Sequence, residues 1–111
     1  MIDTMIGVDL AKNVFQLHGA SLTGEVKFQK KLSRPQFRKF MEAQPASIVV
    51  FEACGGAHFW TREMQKLGHA AKLIAPQYVK PFVKRQKNDA ADAEAIVIAA
   101  QRPEMRFICG A

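Results

Sequence analysis

Two short segments of the chain are almost wholly apolar, and each ends in a carboxylate. They are Thr4–Leu10, in which Asp9 is the penultimate residue, and residues 47–52, which end at Glu52. A strand with apolar side chains on both sides must be covered on both faces, so these segments predict two central strands of a sheet. Aspartate is depleted within strands. If the two strands are neighbours, their acidic ends lie side by side and form a candidate site.

The remaining pattern predicts one α/β domain. Residues 13–19 and 25–30 complete an antiparallel meander with the first strand, and the alternation in 25–30 indicates a half-exposed edge strand. Ser33 is suited to cap a helix. A second helix over about 57–67 and a short strand over 70–74 follow the second apolar strand. The predicted order βββαβαβα gives a mixed five-stranded sheet with helices packed on it.

A helix near the C-terminus carries two further acids. Asn88 or Asp89 is the predicted N-cap, and good helix formers follow for three turns. At about 100° per residue, Asp89 and Asp92 lie about 60° apart with Ile96 between them, on the face that should be buried. Burying two unpaired carboxylates is costly. We therefore expect something cationic to compensate them.

Four acids thus form the predicted cluster: Asp9, Glu52, Asp89 and Asp92. Four hard oxygen ligands favour Mg²⁺ or Mn²⁺ over zinc. Two such ions about 4 Å apart can activate a nucleophile and stabilise the leaving oxygen of a phosphodiester. The pattern predicts a two-metal site.

The charge of the chain favours a polyanionic partner. Its net charge is +6, and 16 basic residues remain against six acidic ones once the four clustered acids are set aside. Nucleic acid is the commonest partner of such a surface. The candidate contacts lie after the first strand and before the last helix: Lys12, Lys80, Lys84, Arg85 and Lys87.

Three motifs carry a resemblance to a known family. They are 7–12 (GVDLAK), 51–56 (FEACGG) and 87–93 (KNDAADA). Together they resemble the N-terminal domain of DEDD-type insertion-sequence transposases (insertion-sequence family one-ten), and more broadly the RNase H-like fold of the Holliday-junction resolvase RuvC. The resemblance covers essentially the whole chain, in the same order and spacing.

This resemblance implies that residues 1–111 are an RNase H-like catalytic domain whose metal ligands are Asp9, Glu52, Asp89 and Asp92. It also implies DNA recombination, with a structured guide RNA and a homo-oligomer as further partners. Family members have a second, C-terminal domain with a serine implicated in strand exchange, and we expect that domain to be absent here.

Other functions remain open at this point. A RuvC-like junction-resolving endonuclease would use the same site, and a non-catalytic nucleic-acid-binding or assembly module would use the basic surface alone. Actin-like and sugar-kinase ATPases share the strand order, but they need a glycine- and threonine-rich phosphate loop where this chain has residues 10–13 (LAKN).

The sequence also predicts a cytoplasmic protein without a membrane partner. It contains no apolar run of the length of a transmembrane span and no secretory signal. Cys54 and Cys109 are too few for a disulfide framework.

Overall fold

Five strands form one mixed sheet in the structure, a computed structural model that describes residues 2–11, 13–83 and 89–108, with only the backbone described for 89 and 90. The strands are β1 (Thr4–Leu10), β2 (Phe15–Ser21), β3 (Val26–Leu32), β4 (Ile48–Glu52) and β5 (Ala70–Ile74). Their order is β3-β2-β1-β4-β5. The central β1 pairs antiparallel with β2 and parallel with β4. The mixed sheet and the edge position of β3 confirm the predictions.

Four α-helices connect or cover these strands: α1 (Arg34–Ala43), α2 (Ala57–Lys66), α3 (Pro76–Val79) and α4 (Asp89–Ala100). Ser33 caps α1 as predicted, because its side chain accepts a hydrogen bond from the Gln36 N–H and the Gln36 side chain accepts one from the Ser33 N–H. A 3₁₀ turn, Lys80–Phe82, follows α3 directly. No helix in the described part of the chain is long and apolar enough to cross a membrane.

The sheet is buried on both faces, as its apolar strands require. On one face α1 and α2 pack over Ile6, Val8 and Phe51 through Phe37, Trp60 and other apolar side chains. On the other face α4 and α3 pack over Met5, Val50 and Ile74. Successive residues of β1 and β4 therefore alternate between two separate apolar clusters.

The helix α4 lies unusually close to β1 at Gly7. A methyl group on Gly7 would lie 2.6 Å from the carbonyl oxygen of Ala93 and 2.7 Å from Cγ2 of Val97. The backbone of α4 thus occupies the space that any other side chain would need. At the far end of the helix, the Gln101 amide donates a hydrogen bond of 2.8 Å to the Ser21 carbonyl oxygen. These two contacts fix both the height and the direction of α4 over the sheet.

Two local predictions differ from the structure. Strand β2 begins at Phe15 rather than at residue 13, and the Ala11 N–H donates a hydrogen bond to the Val14 carbonyl oxygen before the strand starts. The stretch after β5, predicted only as a basic connection, contains α3 and the 3₁₀ turn. Pro76 starts this helix, and its fixed φ suits the first turn.

Replacement of Gly7 by alanine should destabilise the fold, because the added methyl group meets helix backbone, which cannot rotate away. Overpacking of this kind costs about 1–3 kcal/mol. We expect a melting temperature lower by several degrees when unfolding is followed by circular dichroism. Gly55→Ala is the matched control, since nothing lies within 4 Å of the methyl group it would add. Equal melting temperatures for the two variants would contradict the close approach of α4.

Candidate functional site

The acidic ends of β1 and β4 lie side by side. The two strands are parallel and in register from Met5 opposite Ile48 to Val8 opposite Phe51. Asp9 and Glu52 are the next residues on each strand. Because paired strands run about 4.8 Å apart, these two residues are direct neighbours at the same edge of the sheet. The predicted adjacency of the two strand ends is therefore observed.

Both acids face the α4 side of the sheet. Gly7 contacts α4 directly, and Asp9 follows it by two residues on the same strand. Val50 packs in the cluster under α4, and Glu52 follows it by two residues. Side chains two apart on a strand share a face. Asp9 and Glu52 are both partly buried there.

The first turns of α4 bring a third acid to this place. The helix begins at Asp89 and crosses β1 at Ala93 and Val97. Asp92 therefore lies just before the crossing, at the end of the helix that points toward Asp9 and Glu52. It is partly buried, and its carboxylate is close enough to Glu52 to perturb the ionisation of that residue.

Glu52 and Asp92 line one cleft of about 530 Å³ together with Lys80 and Val83. The first residue of the 3₁₀ turn, Lys80, is exposed, and its ammonium group acts on the Glu52 carboxylate. The short α3 and the 3₁₀ turn after it are therefore what bring a cation to the cleft. The sequence identified Lys80 but not the helix that positions it.

The electrostatics of the cleft disfavour negative charge on Glu52. Burial raises the pKa of Glu52 above its ordinary value, the nearby Asp92 carboxylate raises it further, and Lys80 opposes both effects. A partly buried carboxylate whose ionisation is opposed by a second carboxylate nearby is a donor set that a cation would stabilise. Their hard oxygen atoms suit Mg²⁺ or Mn²⁺. The residues present thus fit a divalent ion.

The described side chains do not by themselves complete a metal centre. Within residues 2–11, 13–83 and 91–108, no group of three or more His, Cys, Asp or Glu side chains could hold a metal ion. Asp89, the fourth predicted ligand, is the first residue of α4, and only its backbone is described. The cluster of four acids therefore stays a prediction. Its observed part is the proximity of Glu52 and Asp92, with Asp9 on the neighbouring strand.

Four of the predicted nucleic-acid contacts, Lys12, Lys84, Arg85 and Lys87, lie outside the described residues.

The sequence pattern did not identify Gly7 as a determinant of the site. Gly7 stands two residues before Asp9 in GVD, and a glycine inside a strand was the available signal for a close approach.

Without divalent ions, Glu52→Gln should stabilise the chain at neutral pH. Because the folded-state pKa of Glu52 is raised, its ionisation costs stability as the pH rises from the ordinary glutamate pKa through the raised value. The melting temperature of the variant in EDTA should exceed that of the wild type at pH 7. The difference should vanish below about pH 4, where both states are protonated.

The control is Glu42→Gln on the exposed surface of α1, which removes a carboxylate without changing a buried site and should change the melting temperature at pH 7 little. A Glu52→Gln variant that is less stable than the wild type at pH 7, or equally shifted at every pH, would contradict the raised pKa that burial and the Asp92 carboxylate give Glu52.

Comparison with known proteins agrees with this architecture. Curated transposases match the chain at 45 to 54% identity. The transposase for insertion sequence element IS1328 from Yersinia enterocolitica is 49% identical over 105 residues, which are 95% of this chain and 31% of that protein. The transposase for insertion sequence element IS1111A from Coxiella burnetii is 45% identical over 106 residues, which are 96% of this chain and 29% of that protein. No protein-family model matches the chain.

Solved structures identify the fold. T. thermophilus RuvC in complex with a Holliday junction substrate superposes with a TM-score of 0.64 at 10% identity, covering 96% of this chain and 99% of that one. A second Thermus thermophilus RuvC structure gives a TM-score of 0.62 at 12% identity, covering 95% of this chain and 99% of that one. The chain spans 27 to 31% of the length of the curated relatives it matches. It is therefore homologous, along nearly all of its own length, to a part of the insertion-sequence transposases, and it has the RuvC-like variant of the RNase H-like fold.

Proposed function

We propose that residues 1–111 form the catalytic domain of a transposase that cleaves or transfers DNA strands with divalent metal ions. The observation that carries this proposal is the meeting of Glu52 and Asp92 in one cleft, beside the acidic end of β1. The homology to transposases supports the reaction class.

Asp9, Glu52, Asp89 and Asp92 are the proposed metal ligands. Asp9 and Glu52 belong to adjacent parallel strands, so the sheet fixes the separation of their backbones. Asp92 belongs to a helix whose height is fixed at Gly7. Asp89 precedes Asp92 by three residues, which places its Cα less than one turn away on the same helix. Rigid elements therefore carry all four residues, as a metal site requires.

Magnesium or manganese ions, when bound, would supply charge stabilisation at the attacked phosphate and at the leaving oxygen. The chain's own residues hold and orient the carboxylates. Glu52 and Asp92 together provide a negative potential that concentrates divalent cations in the cleft. The exposed ammonium group of Lys80, on the rim of the same cleft, is placed to contact a phosphate next to the scissile one.

DNA is the proposed partner. The chain has a net charge of +6 even with its clustered acids included, so phosphates would be attracted to its surface and metal ions to the acidic cleft. Lys12, Lys84, Arg85 and Lys87 are proposed as further phosphate contacts. A structured guide RNA and a homo-oligomer are proposed only from the resemblance to the transposase family.

Two other functions share parts of this site. A junction-resolving nuclease is favoured by the likeness to the RuvC fold, and it would cut four-way DNA junctions in preference to linear duplexes. A non-catalytic nucleic-acid-binding module would bind DNA and show no metal-dependent cleavage. Comparing linear and four-way DNA substrates in Mn²⁺ separates these functions.

The central test is a calorimetric titration of Mn²⁺ into the wild-type chain and into Asp92→Asn. Loss of one carboxylate from the ligand set should weaken Mn²⁺ binding at least about tenfold, since even residues behind the ligands change affinity by 10–100-fold. The variant should remain folded and gain stability in EDTA, because the repulsion between Asp92 and Glu52 is relieved. Any Mn²⁺-dependent DNA cleavage by the wild type should be lost in the variant.

Glu42→Gln removes one carboxylate from the exposed surface of α1 and is the charge-matched control. It should bind Mn²⁺ as the wild type does. Unchanged Mn²⁺ affinity and cleavage in Asp92→Asn would exclude this residue from the site.

A further inference from the structure

The edge strand β3 presents two consecutive exposed lysines to opposite faces of the sheet. Lys30 pairs with Leu17, whose side chain is in the cluster under α1 and α2, and the Lys30 ammonium lies 5.3 Å from the centre of the Phe40 ring of α1. Lys31 is the next residue and pairs with Gln16. It therefore faces the other side, which is the side of α4.

Lys31 is in register with the acidic site. Gln16 pairs with Lys31 on one side and with Asp9 on the other. Glu52 follows on the next strand, one residue beyond the paired Val8 and Phe51. A line across the sheet thus runs from Lys31 through Gln16 and Asp9 to Glu52, with one residue each from β3, β2, β1 and β4.

The spacing along this line suits contact with a polynucleotide strand. Two strand intervals of about 4.8 Å place the Cα of Lys31 about 10 Å from that of Asp9. The extended lysine side chain can shift its ammonium group by several ångströms along or away from the sheet. A phosphate within a few nucleotides of one bound at Asp9 is therefore within its range.

Lysines lie on the β3 strand and in the acidic cleft itself, so positive charge is available close to the acidic strand ends. Lys80 lines the acidic cleft with Glu52 and Asp92, and Lys31 lies beyond Asp9 on the β3 side of the sheet. Within the described residues Lys31 forms no ion pair, whereas Lys27 on the same strand pairs with Asp3. An exposed ammonium group here is available to a phosphate.

We propose that Lys31 is a phosphate-contacting residue, and that the bound nucleic-acid strand crosses the sheet from Lys80, past Asp9 and Glu52, to the β3 edge. Gln16, between Lys31 and Asp9, is partly buried and offers an amide that can donate to the same strand. The inference rests on the proposed function, because it takes the acidic cleft as the place where the phosphodiester binds. It adds to that function the direction of the substrate path.

A different role for these lysines is protection of the sheet edge. Lysines on an edge strand prevent pairing with other chains, and this effect does not depend on which face the side chain occupies. Lys30 and Lys31 would then be equivalent. If a nucleic-acid strand instead lies along the face of the sheet that carries Asp9, only Lys31 contributes to binding, since only Lys31 shares that face.

The experiment measures binding of a 30-base-pair DNA duplex by fluorescence anisotropy in EDTA, between 50 and 200 mM KCl. The wild type is compared with Lys31→Gln, Lys31→Arg and Lys30→Gln. Loss of one phosphate contact should make the slope of log K against log salt concentration shallower by about 0.9. We expect this change in Lys31→Gln, an unchanged slope in Lys30→Gln, and the wild-type slope restored in Lys31→Arg.

Equal slopes for Lys31→Gln and the wild type, or equal losses for Lys30→Gln and Lys31→Gln, would overturn the inference. So would the absence of duplex binding by the wild type. None of these results involves metal, so the proposed function is judged separately by Mn²⁺ titration of the same proteins. Lys31→Gln should bind Mn²⁺ as the wild type does. Failure of Mn²⁺ binding in the wild type would overturn the metal site while the salt slopes still report on Lys31.

Discussion

The contact between the α4 backbone and Gly7 determines the geometry of the site. The two apolar strands place Asp9 and Glu52 side by side, but a strand pair alone leaves the carboxylates at an open edge. Asp92 joins them only because α4 lies low over β1 and begins at the acidic end of the sheet. A side chain at position 7 would lift the helix and move Asp92 away from Glu52.

This placement is electrostatically unfavourable in the chain alone. Burial and the Asp92 carboxylate both raise the pKa of Glu52, and among the described residues the ammonium group of Lys80 opposes these effects only in part. A fold that keeps two partly buried carboxylates together gives up some stability at neutral pH. Such a cost is common where residues are arranged for function rather than for packing. With divalent ions bound, the same pair of carboxylates would stabilise the fold instead of destabilising it. The stability of the fold would then depend on metal binding.

Much of this architecture could be predicted from the sequence. The apolar runs at Thr4–Leu10 and 47–52 predict central strands because few other structures bury both faces of a short segment. The alternation in β3 predicts an edge strand, and the helical spacing places Asp92 toward the sheet. These patterns are strong because each depends on burial along a whole element. The resemblance of three motifs to the insertion-sequence transposases is confirmed by the relatives, whereas the four-acid ligand set stays a prediction.

What could not be predicted depends on loop geometry. A tight connection at residues 11 and 12 would pair Asp9 with Val14, whereas the observed register pairs it with Gln16. The register decides which lysine of β3 lies in line with the acids, so Lys31 could not be distinguished from Lys30. Likewise Pro76 alone does not predict α3, because a helix of a single turn shows no hydrophobic periodicity in the sequence. Yet that turn brings Lys80 to the cleft.

The most direct test of the account is nuclear magnetic resonance of the ¹⁵N-labelled chain with substoichiometric Mn²⁺. Paramagnetic broadening reports which backbone amides lie near the ion. If the ion binds at the acidic strand ends, the amides around Asp9, Glu52 and Asp92 should broaden first, and excess Mg²⁺ should restore them. Broadening centred on exposed acids such as Glu42 or Glu104, with the amides of Asp9 and Glu52 unaffected, would contradict a metal site at the ends of β1 and β4.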